Sequence, residues 1–170
     1  ERGALNALLS LSRKQRKKGV IAASAGNHGQ GLAYHGSRLG IPTTIAMPLG
    51  TPFIKITNTK ALGAEVVQIG KTFDETANAA LEISKSKDLT LVHPFDNFLV
   101  MAGKGTIAIE ILKDDPDLDF FLVSVGGGGL ISVVSTAAKA IKPDIKITGV
   151  KSERVPALHR AVNNEEITHQ

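Results

Sequence analysis

Apolar positions follow two alternating rhythms along this chain. Ala4, Leu5, Leu8 and Leu9 recur three and four residues apart, the spacing of a helix with one buried face. Val20-Ile21-Ala22-Ala23 is a short unbroken apolar run and predicts a buried strand. A second helix is predicted to open from the small, polar run beginning at Ser24 and to end around Leu39, where Gly40 stops it. Thr43 to Met47 reads as a strand ending at Pro48, and 52–62 as a helix closed by Gly63. A strand follows over 66–69.

Thr72 and Glu75 have the spacing of a capping box, and Phe73, Ala77, Ala80 and Leu81 give the helix behind them its apolar face. Further on, the pattern predicts a strand over 90–92, a helix over 106–112, a strand over 120–125, a helix over 130–141 and a strand over 146–150. Phe120-Phe121-Leu122-Val123-Ser124-Val125 is apolar enough to predict a fully buried strand. Strands alternating with helices across short connections imply an α/β fold of parallel sheets flanked by helices. From Asn163 onward the tail is polar and has no predicted element.

Composition narrows the class. The 170 residues are 42% hydrophobic and 21% charged, the balance of a folded chain rather than a disordered one. No apolar run is long enough to cross a bilayer, and Glu1-Arg2-Gly3 has no signal-peptide pattern. The absence of cysteine removes disulfides and thiolate chemistry and suits a reducing compartment. A cytoplasmic location is expected, or an organellar one if a targeting segment precedes this stretch. The net charge of +4 draws attention to Arg13, Lys14, Arg16, Lys17 and Lys18. They read as the basic last turn of a helix closed by Gly19, favoured by the helix dipole. With one Tyr and no Trp to stack on bases, nucleic-acid binding is not expected.

The sharpest chemical signal is Gly126-Gly127-Gly128-Gly129 between a predicted strand and a predicted helix. Amides at a helix N-terminus have no intrahelical acceptor, and the dipole adds positive potential there. Without Cβ atoms the backbone can wrap an anion closely. Such a loop predicts a phosphate cradle. It is not a P-loop, because Leu130-Ile131 stands where Lys-Ser/Thr would be, and Ile131 replaces the small residue of a dinucleotide fingerprint. Gly103-Lys104-Gly105-Thr106-Ile107-Ala108 matches a looser form of that fingerprint, but no clear strand precedes it.

Ser24-Ala25-Gly26-Asn27-His28-Gly29 repeats the same physics at another helix start. Converging amides among small residues suit a carboxylate, and the Asn27 side chain can donate to or accept from a phenolate oxygen. Taken alone, Ser24 or Asn27 would be an ordinary helix cap, and His28 a structural residue.

These motifs, with His93-Pro94-Phe95-Asp96 between them, stand in the order found in fold-type II pyridoxal-phosphate (PLP) enzymes. The chain most resembles the threonine/serine ammonia-lyases (threonine dehydratases), which are related to serine racemase. Along essentially all its length the likeness implies a two-lobed fold, with 1–23 and 102–170 in a larger cofactor lobe and 24–101 in a smaller lobe that closes on substrate. It implies that Gly126, Gly127, Gly128, Gly129 and Leu130 bind the cofactor phosphate and that Asn27 bonds the ring hydroxyl oxygen. The amides of Ser24, Ala25, Gly26, Asn27 and His28 would hold the amino-acid carboxylate.

Family members read Phe-Lys-x-Arg-Gly-Ala where this chain opens with Glu1-Arg2-Gly3-Ala4. The Schiff-base lysine is therefore expected immediately before Glu1, with no catalytic residue inside the sequence itself. Lys14, Lys17, Lys18 and Lys104 lack the sequence signature of such an amine. A serine partner for the pyridine nitrogen is expected beyond Gln170.

The implied reaction is β-elimination from L-threonine or L-serine, giving 2-oxobutanoate or pyruvate and ammonia. The alternatives are serine racemisation, another fold-type II PLP reaction, or a non-catalytic relative. Ala25 stands where racemases carry a proton-transferring serine, which argues for elimination. Lys151 occupies a position that is often acidic in relatives, so no metal is expected there. It reads as a solvated residue at a strand end. The full-length parent is expected to form a homo-oligomer acting on a small amino acid, without a membrane partner.

Overall fold

The computed structural model describes residues 1–153 and 157–163, so the expectation for the tail at 164–170 lies outside the described residues. Its contacts divide the chain into two units, Glu1–Gly103 and Lys104–Gln170.

The first unit begins with two helices, α1 (Arg2–Leu9) and α2 (Arg13–Lys18). The basic run forms α2 as a short helix of its own rather than the last turn of a longer one. The reason is local: the Ser12 hydroxyl accepts from the Gln15 amide at 3.3 Å, and the Gln15 side chain accepts from the Ser12 amide at 2.9 Å. Arg16 then reaches back to the carbonyls of Leu9 and Leu11 and satisfies backbone groups left open beyond α1.

Strand β1 (Val20–Ala23) leads into helix α3 (Asn27–Leu39), and β2 (Thr43–Met47) follows. Helix α4 (Phe53–Ala61), strand β3 (Glu65–Gln68), helix α5 (Phe73–Lys87) and strand β4 (Thr90–Leu91) complete the sheet. All pairs are parallel and the order is β3-β2-β1-β4. Side chains of β1 alternate between two cores. Val20 and Ala22 pack with Leu8, Leu32 and Ile45 on one face, whereas Ile21 and Ala23 meet Ala46 and Ala80 on the other. Burial on both faces explains why β1 reads as an unbroken apolar run.

Val20–Ala23 is an interior strand that pairs with both β2 and β4, within the unit Glu1–Gly103. The expected capping box of α5 is only half formed. Thr72 accepts from the Glu75 amide, but the Glu75 carboxylate takes the Lys71 amide instead of that of Thr72.

Helix α6 (Phe98–Asp114) begins well before the expected residue 106 and runs through the point of division. Its start is capped by the Asn97 side chain, which accepts from the Val100 amide at 3.1 Å. The Gly103–Ala108 stretch with its fingerprint spacing therefore lies inside a helix and forms no loop. A Cβ on Gly103 would fall 2.7 Å from the Arg2 carbonyl oxygen and 2.8 Å from the Gly3 Cα, so this glycine lets α6 touch α1.

In the second unit, β5 (Phe120–Ser124), helix α7 (Gly129–Ile141) and β6 (Lys146–Val150) follow the end of α6, with α8 (Ala157–Val162) last. β5 and β6 pair in parallel, from Phe120 opposite Lys146 to Ser124 opposite Val150. Only one face of β5 is covered. Phe121 and Val123 join Ala108, Leu112, Val134, Ala138 and Ile145 in a core, while Phe120 and Leu122 are exposed. Among the described residues of this chain, the expected burial of β5 is met on the face of Phe121 and Val123.

Candidate functional site: two glycine-rich helix starts

Strand order reverses at β1 in the first unit. The chain leaves β1 through α3 to β2 on one side, and β4 lies on the other. In open parallel sheets, such a reversal leaves a crevice beyond the carboxyl ends of the strands, where ligands bind. The segment after β1 is Ser24 to Gly26, which opens α3.

Its geometry departs from the expected cap. Gly26, not Ser24 or Asn27, is the N-cap residue of α3 and offers no side chain. The buried Ser24 hydroxyl takes over by accepting from the amides of Gly26 at 3.3 Å and Gly29 at 3.1 Å. The Ser24 amide itself donates to the Ala46 carbonyl at 3.0 Å. Two of the five amides expected to hold a carboxylate are therefore already committed, those of Ser24 and Gly26. Those of Ala25 and Asn27 meet no protein acceptor among the described residues.

Asn27 is exposed, and its side chain lines a cleft of about 490 Å³ with Glu1, Gln30, Gly31, Tyr34 and Leu62. His28 is turned to a structural task, its Nε2 lying 3.0 Å from the Val92 carbonyl just past β4. Gly29 has no room for a side chain, since a Cβ there would lie 2.9 Å from the Ser24 carbonyl oxygen and 3.1 Å from Ile45.

Two further histidines have roles that the sequence does not assign, although His93 belongs to a quoted motif. His35 is buried in α3 with Nε2 3.2 Å from the Glu1 carboxylate, a pairing across 34 residues. His93 Nδ1 accepts from the amides of Asp96 at 2.8 Å and Phe95 at 3.4 Å and so closes the turn of the His-Pro-Phe-Asp motif. The Phe95 ring stands edge-on to it at 4.6 Å. Their signals are long-range or depend on one turn, and neither has a periodicity.

The second unit carries the glycine loop at the carboxyl end of β5. Gly128 adopts φ +87 as the N-cap of α7, a conformation that L side chains rarely adopt. Its carbonyl accepts from both the amide and the hydroxyl of Ser132, at 3.1 and 2.9 Å. Among the described residues, no carbonyl accepts from the amides of Gly126, Gly127 or Gly128. A Cβ on Gly126 or Gly128 would meet nothing within 4 Å. Leu130, by contrast, packs its side chain against the core of the unit. Free amides, open space and the positive end of α7 fit a phosphate group.

Two lysines differ from expectation. Burial lowers the Lys104 ammonium below the ordinary lysine range, a shift invisible in the sequence because it depends on what packs over α6. Lys151 is half-buried rather than solvated, and its Nζ donates to the Gly126 carbonyl at 3.3 Å.

The first unit is a parallel sheet with amides lacking a protein acceptor beyond β1, and the second carries such amides at the start of α7, among the described residues. The chain belongs to the pyridoxal-phosphate-dependent enzyme family, which it matches over residues 1–170. It is 50% identical over 157 residues to an L-threonine ammonia-lyase of Thermotoga maritima, covering 92% of this chain and 39% of that protein. Among solved structures, the processed form of threonine deaminase isoform 2 from Solanum lycopersicum superposes with a TM-score of 0.88 at 44% identity, covering 97% of this chain and 46% of the other. Maize serine racemase superposes with a TM-score of 0.91 at 31% identity, covering 99% and 51%. The chain thus spans about two fifths of the length of the curated relatives it matches. The α/β fold of parallel sheets flanked by helices is that of PLP fold type II, as the resemblance implies. No helix among the described residues is long and apolar enough to cross a membrane.

Proposed function

We propose that the protein containing this sequence deaminates L-threonine, and L-serine, by β-elimination to 2-oxobutanoate or pyruvate and ammonia. One observation carries this reading. Relatives named L-threonine ammonia-lyase are 50% and 45% identical over nearly the whole chain, whereas the racemase folds that superpose equally well are 31% and 32% identical.

Bound PLP supplies an electron sink that makes the substrate Cα proton removable. The chain's own residues bind and orient. The amides of Gly126, Gly127, Gly128, Gly129 and Leu130 would hold the cofactor phosphate, helped by the α7 dipole. Asn27 would bond the ring oxygen, and the amides of Ala25, Asn27 and His28 would hold the substrate carboxylate. Ser24 acts from behind by fixing the amides of Gly26 and Gly29, so the loop does not collapse onto its own donors. Ala25 presents a methyl group that can neither give nor take a proton, which favours elimination over racemisation.

Glu1 lines the same cleft as Asn27. Residues 1–23 and 102–170 are read as parts of the cofactor lobe and 24–101 as the lobe that closes on substrate. The bacterial relatives and the absence of cysteine support a cytoplasmic location.

The test is to assay the full-length protein with PLP for 2-oxobutanoate release from L-threonine and for D-serine formation from L-serine. Rapid 2-oxobutanoate release with little D-serine is expected. D-serine as the main product would favour the racemase reading. No PLP absorbance band and no turnover would leave a non-catalytic relative.

A further inference from the structure

The parallel register explains how Lys151 reaches the glycine loop. Ser124 pairs with Val150, and the ladder continues one step further, with the Val125 amide donating to the Val150 carbonyl at 2.8 Å. Lys151 therefore leaves the sheet level with Val125, on the adjacent strand and one residue before the first loop glycine. Gly149 makes the close approach possible. A Cβ there would fall 2.9 Å from Ile131 and 2.9 Å from Val125, the residues that flank the loop on either side. The end of β6 is thus seated against both shoulders of the loop.

From this seat the Lys151 ammonium bonds the Gly126 carbonyl at 3.3 Å, and no acidic group pairs with it among the described residues. That bond does two things. It holds the Gly126 peptide in one orientation, in a stretch whose glycines would otherwise sample many. It also brings a full positive charge to a cradle otherwise built from partial charges, where an anion benefits from a charge-assisted donor.

We propose that Lys151 is a positioning residue for the cofactor phosphate, orienting the glycine loop through Gly126 and adding a cation to its field. This rests on the reading of the loop as the PLP phosphate site. It sharpens that reading into selectivity for the phosphorylated cofactor over the same ring without its phosphate.

Titrating the full-length protein with PLP and with unphosphorylated pyridoxal, followed by absorbance, tests it in wild type, Lys151→Met and Lys151→Arg. The expected result is a loss of about tenfold in PLP affinity for Lys151→Met, with pyridoxal affinity changed less than about twofold. Lys151→Arg, which keeps the charge and donors, should recover to within about threefold of wild type. Added salt should weaken PLP binding more in wild type than in Lys151→Met. Equal losses for PLP and pyridoxal, or no loss for either, would overturn the proposal while leaving the phosphate site standing. Failure of the wild type to bind PLP at all would overturn both.

Discussion

The two glycine-rich helix starts of this chain have similar sequences and opposite interiors. Beyond β1, Ser24 and Gly29 are spent on packing, and only Gly26 has open space where a Cβ would sit. Ser24 is buried, its hydroxyl holds two amides, and Gly29 is glycine because the Ser24 carbonyl and Ile45 leave no room for more. Beyond β5, the glycines are open. Gly126 and Gly128 have empty space where a Cβ would sit, and their amides meet no protein acceptor among the described residues. The contrast shows that glycine at a helix start has two separate uses. One lets the protein approach itself, and the other leaves a place for something else. Substitution separates them: a packing glycine reports in stability, an open one in ligand affinity.

The largest effect is expected from Gly29→Ala. Its new methyl would contact the Ser24 carbonyl oxygen, in a residue whose amide is bonded to Ala46, so relief requires shifting that segment or α3. Overpacking of this kind costs about 2–3 kcal/mol, readable in denaturant unfolding of the full-length protein. A change under ~0.5 kcal/mol would show that the Ser24 segment yields freely and would remove the contrast. Ser24→Ala comes next. It strips the shared acceptor from two amides, one belonging to buried Gly29, and leaving such donors unsatisfied costs about 1–3 kcal/mol. Ser24→Thr, which keeps the hydroxyl, should recover part of that loss if the hydrogen bonds are what matters.

The sequence pattern conveys the two loops unequally, as it does the strands. β1 reads correctly as buried because a parallel strand covered on both faces is apolar at every position. β5 has the same apolar continuity yet exposes Phe120 and Leu122, since composition records what a residue prefers and not which face is covered. The start of α6 is missed because Gly103 and Gly105 lower helix propensity. Gly103 is there to let α6 meet α1, a contact distant in sequence. The anion character of both loops is legible, because it follows from glycine spacing before a helix. What each loop does with its amides is not. The Ser24 amide is claimed by Ala46, and the Gly126 carbonyl by Lys151 25 residues later, and both pairings exist only once strands are in register.

The smallest stability effects are expected in the open loop, and they form a matched pair. Gly128→Ala keeps space for its methyl but forces an L residue to φ +87, which costs about 1 kcal/mol. Gly126→Ala meets neither a clash nor a positive φ, so unfolding should change by less than ~0.5 kcal/mol. Its consequence lies elsewhere: the methyl would enter the space left beside free amides, and PLP affinity should fall by about tenfold or more while the protein stays as stable as wild type. The dissociation constant for PLP, measured alongside the unfolding midpoint on the same preparation, separates the two quantities. Should Gly126→Ala bind PLP normally, the empty volume at Gly126 is not ligand space, and the difference between the loops reduces to one of packing density.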